Sequence, residues 1–219
     1  MGIFDFNKPE LKKDSLEAIL AVVYLIAVSG DGMKVEESEA LSFFYYWLLH
    51  ESESKNSNHI PSSRSKSGKE LEKLLKDQKK LKSEIDAVNL ILYDRTPILK
   101  TSELLKQREF KSEVDPLNEK IHIQRIHPTM PNLQKKGNIK DSYTKCVQIL
   151  TRVNKEFIKS LNKRNPDQMR DKYYKLITDK YSREITLKMA NAVSRIDGLN
   201  EIESQNLIDL KMYWMADEI

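Results

Sequence analysis

Two short acidic turns, far apart in the chain, carry the residues best suited to chemistry. The first runs from Asp31 to Leu41 and the second from Asp197 to Leu207, and both follow the pattern Asp-Gly-x4-Glu-Ser-x2-Leu without gaps. Each copy comes after an apolar segment that contains Ala-Val-Ser. The repeat places four carboxylates at equivalent positions: Asp31, Glu37, Asp197 and Glu203.

The spacing of these carboxylates indicates what they could do. The glycine after each aspartate allows a tight turn, and the glutamate falls in the first turn of the following helix, near the positive end of its dipole. If the two turns pack side by side, the four carboxylates meet and repel unless they share protons or a cation. Oxygen ligands alone favour Ca²⁺, or Mg²⁺ with retained waters. The repeat therefore predicts a divalent-cation site formed by Asp31, Glu37, Asp197 and Glu203.

The same residues also suit a purely structural role. Asn200 and Glu203 have the spacing of a capping box, and Glu36 and Glu37 suit a helix start without any ligand. Asp-Gly is an ordinary turn dipeptide as well. Neither loop is an EF-hand, because that loop has its glycine at the sixth position. The sequence leaves capping and cation binding open as alternatives, and it leaves open whether the two turns meet.

Helices must position both turns, since apolar residues recur at helical spacing through most of the chain. The first helix is predicted to be capped by Asp14, with Glu17 reaching back, and to end at the Ser29–Gly32 turn. With the next helix it forms an αα-hairpin. The other predicted helices span 35–50, 71–92, 140–162, 166–180, 183–195 and 201–216. The expected fold class is all-α: a compact bundle built on two helix–turn–helix hairpins.

The middle of the chain interrupts this pattern. Residues 51–69 are serine-rich and nearly free of large apolar side chains, which predicts a flexible linker. Residues 70–138 are predicted to be a basic inserted helix followed by an irregular arm, with a short β-like stretch at 121–126. We therefore expect residues 1–50 and 139–219 to form the two halves of one helical domain, with a long, partly disordered basic insertion between them.

Charge is distributed unevenly along the chain. The formal net charge is +4, but residues 1–50 carry −4 and residues 181–219 carry −3, so the centre carries +11. A basic centre can bind nucleic acid or anionic lipid. The alternative is a solvated, lysine-rich helix face packed on the bundle. The segment Lys69–Lys82 is the best candidate for an interaction surface, as a partner helix, a coiled coil or a weak contact with anionic lipid.

Other classes of protein and site are disfavoured. The single cysteine, Cys146, excludes an intrachain disulfide and is expected to be a buried structural thiol. The longest apolar run, 18–28, is too short to cross a bilayer, so we expect no transmembrane segment and a cytoplasmic location. Zinc, phosphate-loop and nucleophile motifs are missing, and a carboxylate-based hydrolase would need an open pocket. We expect no enzymatic activity.

The helix 18–29, the turn with Asp31, Glu36 and Glu37, and the second turn with Asp197 and Glu203 resemble the TerB tellurite-resistance family. The same helical fold occurs at the front of some membrane-associated DnaJ-type co-chaperones. The resemblance covers about residues 12–50 and 182–219. It implies a compact all-α domain with an acidic cluster, for which metal or calcium binding has been proposed.

The resemblance also implies a role. TerB-like bacterial proteins are thought to act in stress-response assemblies near the cytoplasmic membrane, and no catalysis is established for them. We therefore expect a cytoplasmic binding or regulatory protein with protein partners, at the inner membrane face, and a Ca²⁺ or Mg²⁺ cofactor. The alternative function is binding of nucleic acid or an anionic membrane through the basic centre.

Overall fold

The computed structural model describes residues 11–29, 32–50, 60–93 and 136–216, and all of its regular elements are α-helices. In chain order they are α1 (Leu16–Val28), α2 (Val35–His50), α3 (Lys66–Lys76), α4 (Gln78–Tyr93), α5 (Lys136–Asn162), α6 (Pro166–Tyr174), α7 (Lys180–Ser194) and α8 (Glu201–Ala216). The all-α prediction is confirmed for the described part of the chain.

Helix α1 lies at the centre of the bundle. Every residue from Leu16 to Ala27 except Glu17 is buried, so the helix needs neighbours on all sides. These neighbours are α2, α5, α6, α7 and α8, with α7 making the most extensive contact. Its start is fixed by Ser15, whose hydroxyl accepts a hydrogen bond from the backbone N–H of Ala18 at 3.2 Å.

Asp14 was predicted to cap this helix, and that prediction is wrong. Asp14 has a φ of +52°, outside the helix, and its carboxylate accepts hydrogen bonds from the backbone N–H groups of Thr178 (2.7 Å) and Asp179 (3.0 Å). The backbone N–H of Asp14 donates to the carbonyl of Leu176 at 2.8 Å. Asp14 therefore ties the start of the first hairpin to the loop that precedes the second.

The two predicted hairpins are present, and their second helices have the same length. Helices α2 and α8 have the predicted bounds, and each residue of α8 lies 166 positions beyond its equivalent in α2 (35 to 201, 50 to 216). Helices α1 and α7 end at the same offset, at Val28 and Ser194. The end of α8 is held by Trp214, whose indole N–H donates to the carbonyl of Tyr174 at 3.1 Å.

The helices of the middle region differ from the prediction. The single helix expected over 71–92 is broken at Asp77, whose extended backbone ends α3 and whose carboxylate accepts from the N–H of Lys80 at 3.0 Å. Helix α3 also begins inside the segment predicted to be linker. Ser65 caps it by accepting from Gly68 N–H at 2.9 Å. A Cβ on Gly68 would lie 2.0 Å from the carbonyl oxygen of Ser62, so only glycine fits there.

Helices α3 and α4 pack within the same hydrophobic core as the two hairpins. Their buried residues, which include Leu71, Leu74, Leu81 and Ile85, belong to one cluster with α1 and α2. Lys69–Lys82 is therefore an amphipathic segment packed on the bundle, with its lysines outside. Residues 51–59 and 94–135, with the β-like stretch at 121–126, lie outside the described residues.

Three predicted boundaries near the second hairpin move. Helix α5 begins at Lys136 rather than at 140, and α6 ends at Tyr174 rather than at 180. Helix α7 begins at Lys180 rather than at 183, because Asp179 caps it by accepting from Ser182 N–H at 2.8 Å. The cap at Asp179 thus starts this helix three residues earlier than the apolar spacing predicted.

The aromatic and thiol side chains take the predicted core positions. Residues 43–47, Tyr173, Tyr174 and Cys146 are all buried. Burial raises the pKa of the Cys146 thiol to about 12, so it stays protonated at neutral pH and is a poor nucleophile. Within the described ranges, the helices lack the length and apolarity needed to span a membrane.

We expect Asp14→Gly to lower the free energy of unfolding by about 1–2 kcal/mol, because it removes the acceptor for the two N–H groups while tolerating the positive φ. Asp14→Asn keeps one acceptor oxygen and also tolerates this φ, so its loss should be smaller. Urea unfolding of both variants checks this. A glycine variant as stable as the wild type would contradict the tie between the hairpins.

Candidate functional site

The two turns of the repeat have the same backbone geometry. Gly32 has a φ of +93° and Gly198 a φ of +110°, a conformation that residues with a Cβ rarely adopt. Two residues later, the N–H of Lys34 donates to Glu37 Oε2 at 2.9 Å, and the N–H of Asn200 donates to Glu203 Oε2 at 3.2 Å. The sequence repeat is therefore also a structural repeat.

The predicted capping role is confirmed, and it is complete in only one copy. The N–H of Glu203 donates to Asn200 Oδ1 at 2.8 Å, so Asn200 and Glu203 cap each other's backbone as a full capping box. The equivalent of Asn200 in the first copy is Lys34, whose side chain has no acceptor. Helix α2 therefore begins with half of a capping box.

The side chain of Lys34 instead crosses to the other copy. Its ammonium lies 2.6 Å from Asp197 Oδ2, which joins the first turn to the second. Asp197 and Glu203 also lie near enough to Glu37 for their charges to act on it. The two turns therefore meet. We call Glu37, Asp197 and Glu203, together with Lys34, the acidic centre. Asp31, the fourth predicted ligand, lies outside the described residues.

Glu37 has a strongly perturbed pKa. Its side chain is fully buried (0% exposed), and burial, the largest cause, raises its pKa from 4.5 to about 7. The hydrogen bond from Lys34 N–H opposes this shift, the charges of Asp197 and Glu203 add to it, and the charge of Lys34 counters it. A carboxyl group in this position changes its ionisation near neutral pH.

Two buried oxygens of the acidic centre have no hydrogen-bond partner among the described residues: Glu37 Oε1 and Asp197 Oδ1. Buried polar atoms are normally paired, and carboxylate oxygens are the donors that Ca²⁺ and Mg²⁺ prefer. The donor chemistry thus fits a hard cation. The described residues, however, hold no set of three or more His, Cys, Asp or Glu side chains placed to ligate a metal ion.

Sequence reasoning missed Lys34 and Arg170. The signal for Lys34 was the mismatch within the repeat, where lysine replaces the capping asparagine of the second copy. Arg170 on α6 donates to the Ser29 hydroxyl at 3.2 Å, at the end of α1 where the first turn begins. Periodicity gave no indication of that contact, because it joins residues 141 positions apart.

The histidines do not form a site in the described part of the chain. His50 is hydrogen-bonded to the hydroxyl of Ser142 at 2.7 Å, which joins α2 to α5, and its ring lies 5.2 Å from that of Tyr46 in a tilted arrangement. His59, His122 and His127 lie outside the described residues.

Comparisons of the chain with protein-family models, curated proteins and solved structures find no match. The resemblance to TerB therefore rests on the residues of the repeat themselves.

We expect Glu37→Gln to become more stable relative to the wild type as the pH rises from about 4.5 to about 7. The raised pKa means that folding favours the protonated carboxyl, so ionisation costs the wild type stability across this range and the amide avoids that cost. The gain is at most about 3 kcal/mol, and each kcal/mol raises the melting temperature by about 2–4 °C.

Thermal melts of wild type and Glu37→Gln at pH 5 and pH 8 measure this difference. Glu36→Gln, at the exposed neighbouring position on the same helix turn, is the matched control. If the two variants show the same pH-dependent difference from wild type, the burial of Glu37 is not its cause.

Proposed function

We propose that this chain is a non-catalytic, TerB-like binding and regulatory protein of a cytoplasmic stress-response assembly of the tellurite-resistance type, and that its acidic centre takes up a divalent cation, Ca²⁺ or Mg²⁺. The proposed ligands are the four carboxylates that the sequence repeat predicts: Glu37, Asp197, Glu203 and Asp31, of which Asp31 lies outside the described residues.

One observation carries the cation part of the proposal. Glu37 Oε1 and Asp197 Oδ1 are buried, have no hydrogen-bond partner among the described residues, and belong to the same centre although they come from different hairpins. A cation held between them would join α2 to the turn before α8. Because such binding occurs only in the native state, it would stabilise the fold and couple the hairpins. This coupling is the regulatory element that we propose.

The surroundings of the acidic centre support binding over catalysis. Glu37 is fully buried, and both glutamates are engaged by backbone N–H groups at helix starts. A metal-dependent hydrolase needs a substrate beside an open coordination position. Carboxylates enclosed at the junction of two hairpins suit a structural or regulatory cation better.

Exposed apolar side chains on α8 support a protein partner. Ile208, Met212 and Met215 are each more than half exposed and follow one another at spacings of four and three, so they share one face of the helix. Flexible methionines are frequent at protein-binding surfaces. The face belongs to the hairpin that contributes Asp197, which places a contact surface on the element that a cation would couple.

We expect Ca²⁺ or Mg²⁺ to raise the melting temperature of the wild type relative to chelator, and Asp197→Asn to abolish the rise. Asp86→Asn, an exposed position on α4, is the matched control and should keep it. A wild-type melting temperature that is the same in both cations and in chelator would contradict the cation site.

A second function, binding of nucleic acid or an anionic membrane, is favoured by the exposed face of α3. Lys66, Lys69, Lys73 and Lys76 recur along it at spacings of three, four and three. The last three line a groove of about 360 Å³. The groove also contains Glu72 and Asp77, which lower its positive potential, and this places the second function behind the first.

If this second function is correct, the joint substitution of Lys69 and Lys73 by glutamine should weaken binding of a single-stranded oligonucleotide. Each lost phosphate contact should reduce the slope of log K against log salt by about 0.7. Fluorescence anisotropy at several salt concentrations measures this, and Lys159→Gln on α5 is the control. Equal affinity and slope in all three proteins would remove this alternative, as would failure to bind at low salt.

A further inference from the structure

We propose that Lys34 is a tethered counter-ion of the acidic centre, which competes with the divalent cation for Asp197 and keeps the two hairpins joined when that cation is absent. This inference rests on the proposed function, because it assigns the residue that regulates the same site. Uptake of the cation then requires the Lys34 ammonium to leave Asp197.

The geometry shows which side of the pair can move. The Lys34 side chain is 41% exposed, whereas the Asp197 side chain is only 10% exposed. A lysine on a flexible four-carbon stem can swing its ammonium into water and regain full hydration. Asp197 would stay buried and needs another positive charge in its place. The Lys34 ammonium can therefore be replaced by a divalent cation while the Asp197 carboxylate stays in place.

The repeat supplies an internal comparison. In the second turn Asn200 occupies the equivalent position and completes a capping box with Glu203. Lysine at the first turn gives up that cap, since its side chain only donates hydrogen bonds. What it provides is a 2.6 Å ion pair with Asp197 across the junction between the copies. Lys34 thus serves the contact between the hairpins at the expense of its own helix start.

Electrostatics then determines how Lys34 affects cation binding. An ammonium bound to Asp197 neutralises one of the carboxylates and repels a divalent cation approaching the unpartnered oxygens of Glu37 and Asp197. Displacement of Lys34 would leave Asp197 Oδ2 without its ion-pair partner and therefore available as a ligand. Loss of the lysine charge should therefore increase cation affinity.

The decisive variant is Lys34→Asn, which places the residue of the second turn in the first. Asparagine can cap α2, so the variant removes the counter-ion while improving the helix start. Isothermal calorimetric titration of the full-length Lys34→Asn variant with CaCl₂ should give a dissociation constant at least about tenfold lower than that of the wild type. Lys34→Met, which keeps the aliphatic stem, should show the same direction if the asparagine variant folds poorly.

Two controls separate charge from structure. Lys34→Arg keeps the positive charge and should bind CaCl₂ as the wild type does. Lys76→Asn removes a lysine from an exposed ion pair with Glu72 and should leave the affinity unchanged. Combining Lys34→Asn with Asp197→Asn should abolish the gain, because it removes the carboxylate for which the two cations compete.

The outcomes distinguish this inference from the proposed function. If wild type and Lys34→Asn bind Ca²⁺ with the same affinity, the inference is overturned and the proposed cation site stands. If neither protein binds Ca²⁺ or Mg²⁺, both are overturned, and the Lys34–Asp197 pair is structural. If Lys34→Asn binds more tightly while Lys34→Arg does not, the inference is supported.

Discussion

The burial of α1 on every side is the constraint on which the rest of the structure depends. A helix with a single apolar face can pack on one partner. In α1 nearly every residue is buried, so this helix is surrounded by five others. Both hairpins are therefore drawn to the same centre, and their turns come together at the same end of α1 and α7. The contact between the acidic turns follows from the packing of the apolar helices.

Bringing these turns together creates an electrostatic problem. Glu37 and Glu203 each accept a backbone N–H at the start of their own helix, which is a common position for a glutamate. Packing adds Asp197 and buries Glu37, which raises the pKa of that carboxyl to about 7. The ammonium of Lys34 partly offsets this negative charge, because it forms an ion pair with Asp197. The proton that Glu37 retains and the ammonium of Lys34 both reduce the negative charge of these buried carboxylates. The divalent cation that we propose would be a third way to balance this charge.

The two turns share some residues and differ at one position that matters for their contacts. Glycine with a positive φ is needed in both, and so is the glutamate that accepts the N–H at the helix start. The residue between them is free to differ, because either a side-chain cap or an ion pair can stabilise that position. In the second copy Asn200 caps its own helix, whereas in the first copy Lys34 pairs with Asp197 of the second copy. Asp14 likewise makes a long-range contact instead of a local one, because it accepts hydrogen bonds from Thr178 and Asp179 and does not cap α1.

The sequence by itself determined the local features: the all-α class, the bounds of α2 and α8, both glycine turns, the Asn200–Glu203 capping box and the burial of Cys146 and the aromatic run. These depend on residues within a few positions of one another, so periodicity and capping chemistry predict them. The break of the middle helix at Asp77 is also local, because Asp77 caps the helix that follows it, but the apolar spacing did not reveal it. Only the tertiary structure decided that the turns meet, that Asp14 binds a distant loop, and that Lys34 pairs with Asp197. Those features join residues far apart in the chain, or depend on burial, and both are set by how the helices pack around α1 rather than by local spacing.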